Sequence, residues 1–151
     1  MLSMPDVHYG NRVIVLIDDI DLLAIQALRF AKTISDDIIA FSVAVDESAE
    51  INLRTRWNKM NTEIPCFIRG LQDGGIVEHL LKFIQSPEFG PMPGDMITVV
   101  LPRLVICNRW HRLLYKDKTV SVEKQLLKHK NIVVAVMPFY LADDKQALEA
   151  E

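Results

Sequence analysis

The residues best suited to chemistry in this chain are cations clustered around one aromatic. Between Arg103 and Lys130 lie eight basic side chains: Arg103, Arg109, Arg112, Lys116, Lys118, Lys124, Lys128 and Lys130. Only Asp117 and Glu123 oppose them, so the segment carries +6 within a chain of net charge -3, and the remainder carries -9. Arg109, His111 and Arg112 surround Trp110, with Tyr115 close behind. Arginine forks match phosphate oxygens, and an aromatic face suits a stacked base or a cation. Thr119 and Ser121 follow at the start of a helical stretch, where hydroxyls and backbone N–H groups favour anions. Together these residues suit a small phosphate-bearing ligand held by side chains. The alternative for Arg103, Arg109, Arg112 and Trp110 is a solvated loop with one buried anchor. For Lys124, Lys128 and Lys130 the solvated face and end of a helix is the better reading.

A second group, Asp18, Asp19 and Asp21, closes an apolar run. Carboxylates there could meet ribose hydroxyls or a divalent ion, with Asp18 foremost. They could equally be a helix N-cap and loop charges. A glycine-rich phosphate loop is missing, because all six glycines lie at or before Gly94. An anion site after the fourth apolar run would therefore rest on side chains and not on backbone amides. Gly74-Gly75 reads as a turn before a helix. No Ser or Cys occupies a nucleophile-elbow sequence. The four His are scattered, and Cys66 and Cys107 read as inert thiols. No constellation here argues for an enzyme, and no cofactor or metal is expected to be required.

Positioning these groups falls to alternating strands and helices. Apolar runs at Val13–Ile17, Ile38–Val45, Ile64–Ile68, Met96–Leu101 and Ile132–Phe139 read as strands, the first two fully buried and the short third nearer an edge. Pro102 is expected to stop the fourth. Helical stretches follow at Leu22–Ser35, Glu50–Met60, Ile76–Gln85 and about Thr119–Lys130, with Asp21 a good N-cap for the first. Residues 103–118 are expected to be an irregular basic connection, and Ser86–Gly94 a proline-rich loop. This alternation implies an α/β doubly wound parallel sheet of five strands in the order 3-2-1-4-5. The ligand crevice would lie where Asp18-Asp19 and Pro102-Arg103 end strands 1 and 4. The domain should span 11–140, after an N-terminal arm (1–10) and before an acidic mobile tail (141–151).

With 151 residues, half of them apolar, the chain can bury a real core, which excludes a disordered regulator. The net charge excludes a general nucleic-acid binder. Two Cys 41 residues apart form no disulfide framework or zinc ribbon. No apolar stretch reaches the roughly 18 residues of a membrane span, and MLSMPDVHYG is no signal peptide, so a cytoplasmic domain is expected. The fifth strand is an apolar, uncharged edge protected only by Pro138. Such an edge needs covering, so a homodimer through 132–139 is expected.

The run NRVIVLIDDIDLLAIQALRFAKTISDDIIAFSVAVDE, then WNKM, LLKFI, PGDMITVVLP, RWHRLLYKDKT and NIVVAVMP, resembles a known family. It is similar to the cytosolic C-terminal domain of APC-superfamily permeases, which include amino-acid permeases and KimA-like potassium importers, a domain itself similar to universal stress proteins. The resemblance covers about Asn11 to Phe139. Trp110, His111, Leu114 and Thr119 match the family's segment, whereas Arg112, Lys116 and Lys118 depart from it. The resemblance implies a universal-stress-protein-like fold. It also implies a regulatory and dimerising domain beneath the transmembrane domain of a parent permease carrying amino acid or potassium. Cyclic di-AMP is the implied nucleotide, with Asp18, Asp19, Arg103, Arg109, Trp110, His111, Arg112 and Thr119 as candidate contacts. The alternatives are a ligand-free dimerisation module and a free-standing ATP-binding protein of the universal-stress type; the missing glycines count against the latter.

Overall fold

The computed structural model describes residues 10–70, 74–91, 94–106 and 118–141. Five strands form one parallel sheet: β1 (Asn11–Leu16), β2 (Ile38–Ala44), β3 (Cys66–Gly70), β4 (Met96–Ile106) and β5 (Ile132–Leu141). Their order is β3-β2-β1-β4-β5, as the apolar runs predicted. Four helices connect them: α1 (Leu22–Ile34), α2 (Glu47–Lys59), α3 (Ile76–Ile84) and α4 (Lys118–Leu126).

The central strand shows why both faces must be apolar. Val13 and Val15 pack with Ala24, Ala27, Leu28 and Ala31 of α1 and with Trp57 of α2. Ile14 points the other way, into a cluster with Leu80 and Phe83 of α3 and with Val122 and Leu126 of α4. Alternate residues thus feed two layers, and neither face can tolerate a charge. Phe83 anchors the second layer, with ring centroids 5.0 Å from Phe41, 4.8 Å from Phe67 and 5.6 Å from Phe89.

Asp21 caps α1 by accepting from the Ala24 amide at 2.9 Å, as expected. Asp46 caps α2 in the same way, accepting from Ala49 at 2.7 Å. That cap explains why α2 opens at Glu47 and not at Glu50. Strand β3 begins two residues later than expected, because the stretch before it is used otherwise. The Ile64 carbonyl accepts from the Trp57 indole at 3.1 Å, and the Pro65 carbonyl accepts from the Ala40 amide at 2.9 Å. Helix α4 ends at Leu126 and not near Lys130, through tightened turns in which Lys128 and His129 bond back three residues.

The main correction concerns Pro102. It does not end β4, which runs on to Ile106, so residues 103–106 are strand and not irregular connection. Pairing of β4 with β1 stops at Val15↔Val100. Pairing with β5 continues from Ile97↔Ile132 through Pro102↔Met137 to Ile106↔Leu141. Beyond Val100, β4 has a paired neighbour on one side only among the described residues, and a proline is tolerated on such an edge. Leu141, expected in the tail, belongs to β5. The remaining tail, 142–151, and the arm, 1–9, lie outside the described residues.

Candidate crevice at the sheet switch point

The sheet order reverses between β1 and β4, and a crevice of about 370 Å³ opens beyond their C-terminal ends. This is where an open α/β sheet binds its ligands. Its floor is apolar: Leu16 from β1 and Ile17 just after it, Leu23 and Ala24 from α1, Val43 from β2, Pro102 and Leu104 from β4, and Val122 from α4. Ile76 reaches it from the first turn of α3, just after Gly74 makes its turn at φ +90°. The polar rim consists of Asp18, Asp19, Asp21 and Thr119.

Strand lengths create this space. Because β1 stops at Leu16 while β4 continues to Ile106, the crevice lies over the end of one strand and beside the other. The local fold therefore brings Thr119 together with Asp18 and Asp19, from which it is far away in sequence. Asp18 stands on the rim with its side chain exposed. Asp19 pairs with Arg56 of α2, Oδ1 to Nη1 at 2.5 Å, and also accepts from the Ile20 amide. Arg56 further donates to the Ile20 carbonyl at 3.0 Å, so it braces the loop after β1. Asp21 is occupied as the cap of α1. Among the described residues, no three of His, Cys, Asp or Glu converge on a metal site, so the divalent-ion reading of the aspartates gains no support.

Arg103 stands one hydrogen bond behind the rim. Its Nε donates to Thr119 Oγ1 at 2.9 Å, and its Nη2 pairs with Glu123 Oε2 at 2.7 Å. Arg109, Trp110, His111 and Arg112 lie outside the described residues, as does Cys107. They fall between β4 and α4, two elements that both border the crevice.

The sequence reading missed the apolar floor, Arg56 and Glu123. One signal was there to find: Thr119 and Glu123 are four apart on a helix and so share a face. The reading of Cys66 as unreactive is consistent with its setting, since burial pushes the thiol up to about 11, against a smaller opposing effect of Arg54. Strand β5 is the sheet edge, as expected, with Val133 and Tyr140 exposed. Among the described residues, no helix is long and apolar enough to cross a membrane.

Comparison with known proteins adds a family. The model of the KimA potassium transporter C-terminal domain matches residues 7–139. The chain is also 25% identical over 137 residues to the protein named potassium transporter KimA from Bacillus subtilis (strain 168). That match takes in 90% of this chain and 23% of the relative, so the chain spans about a quarter of the length of the curated relative it matches.

Proposed function

Since the chain belongs to the family of KimA potassium transporter C-terminal domains, we propose that it is the cytoplasmic regulatory module of a membrane transporter, with a nucleotide as its signal. The observation that carries this reading is the crevice at the switch point. About 370 Å³ falls in the range of small-ligand pockets and suits one nucleoside moiety. Its apolar floor suits a base, and exposed Asp18 suits ribose or amino hydrogen-bond donors. The candidate phosphate contacts are Arg109, Trp110, His111 and Arg112, which follow β4 in the sequence. The favoured nucleotide is cyclic di-AMP, which the family resemblance implies. The favoured cargo of the parent transporter is potassium, in keeping with the family's description, ahead of an amino acid. The module acts by binding and not by catalysis, and it pairs with a second copy through the β5 edge while attached to a transmembrane domain.

Calorimetric titration of the 151-residue chain with cyclic di-AMP tests the proposal. Saturable binding is expected, and it should vanish when Arg109 and Arg112 are both changed to Glu while light scattering still reports the same oligomer. No heat at high micromolar nucleotide, from folded protein, would sink it. A ligand-free dimerisation module is the second reading. It is favoured by one observation: Asp19 and Arg103 are already engaged, by Arg56 and Glu123. That module would dimerise and show no thermal shift with any nucleotide.

A further inference from the structure

The pairing of Arg103 is the point at which the crevice could be regulated. Pro102 and Leu104 face the crevice, so strand alternation turns Arg103 toward the opposite layer, where α4 packs. There it meets Thr119 and Glu123 on one face of the helix. We propose that Glu123 is a built-in counter-anion that sets the anion affinity of this crevice by neutralising Arg103 until the phosphate of a ligand replaces it. This rests on the reading of the crevice as a nucleotide site.

Charge and burial support the exchange. The rim carries Asp18, Asp19 and Asp21, and of these only Asp19 has a cationic partner among the described residues, Arg56. A phosphate approaching Thr119 thus meets carboxylates at the rim, and Arg103, one hydrogen bond behind it, is already paired with Glu123. The side chains of Arg103 and Glu123 are only 20% and 30% exposed, so water screens their charges less than at an open surface. A guanidinium carries five donors in a planar fork, and a carboxylate and a phosphate compete for the same edge. Since Arg103 also bonds to Thr119, a phosphate at that hydroxyl is one side chain from the fork. Replacing Glu123 by another anion keeps the guanidinium charge compensated; replacing it by a neutral group does not. Glu123 is therefore a specificity-determining residue, which restricts the site to anionic groups able to take its place on Arg103, the phosphodiesters of a cyclic dinucleotide among them.

The test compares wild type, Glu123→Gln, Arg103→Ala and the double variant by calorimetry, with cyclic di-AMP and with inorganic pyrophosphate, each fold checked by thermal melting. Glu123→Gln is expected to bind both anions roughly fivefold tighter, the scale of releasing one partly exposed ion pair. The gain should disappear in the Arg103→Ala background and shrink at high salt. Unchanged or weaker binding by Glu123→Gln overturns the proposal, as does a gain that persists without Arg103. If pyrophosphate shows the gain and cyclic di-AMP binds no variant, the counter-anion stands and the cyclic di-AMP reading falls. If cyclic di-AMP binds wild type and Glu123→Gln equally, the reverse holds. If no variant binds either anion, both fall.

Discussion

At the scale of single residues, environment decides which groups are available to react. Cys66 begins strand β3, and burial holds its thiol at about 11 instead of 9.0. The thiolate is the nucleophile, so at pH 8 this position should alkylate far more slowly in the folded chain than after denaturation. Mass spectrometry of the peptide containing Cys66 checks it, and equal rates would contradict the assignment. The sign for stability follows. The folded state favours the protonated thiol, so this contribution is fully present below pH 9 and is lost as pH rises toward 11. Asp19 and Arg56 illustrate the opposite case, because their side chains are 56% and 43% exposed. Arg56→Ala should cost at most about 1 kcal/mol in chemical denaturation, despite the short contact. Such partners were not legible in the sequence. Asp19 and Arg56 are separated by 37 positions, and Arg103 and Glu123 by 20. Only the fold decides which cation meets which carboxylate. Asp21 was legible, because a cap and its helix are adjacent.

At the scale of elements, caps and packing determine how firmly the crevice walls are held. Asp21→Ala removes the acceptor for the Ala24 amide and should destabilise the chain by about 1 kcal/mol. Because Leu23 and Ala24 belong to the crevice, ligand affinity should fall as well as the melting temperature. Helix α3 depends on Phe83, which is 2% exposed and touches three other phenyl rings. Phe83→Ala should cost about 3–5 kcal/mol, measured by denaturant unfolding. Arg12 ties the entry of β1 to the loop after α3. It pairs with Asp37, donates to the Phe89 and Gly90 carbonyls and lies 3.7 Å from the centre of the Phe89 ring. All five strands were readable as apolar runs, most directly β1 and β2, whose middles are buried on both faces. The end of β4 was not readable. A proline usually stops a strand, and nothing local says that Pro102 stands where the β1 partner has already ended.

At the scale of the whole molecule, the open β5 edge is the feature that most invites a partner. Val133 is 44% exposed and Tyr140 is 66% exposed along a strand that, among the described residues, is paired on one side only. If that edge joins two copies, light scattering should give twice the 17.2 kDa of the chain. Val133→Lys should return it to one copy with unchanged circular dichroism. A wild-type mass of one copy would remove the dimer from the functional picture. The parallel arrangement also has a mechanical meaning. The described chain enters at the start of β1 and leaves at the far end of β5, on opposite ends of one sheet. Tension between those two points would pull the β1–β4–β5 ladders along their length, loading many hydrogen bonds at once instead of peeling them apart singly. A domain strung this way resists stretching as a rope splice does, and a force applied at its two ends is borne by the strands that frame the crevice.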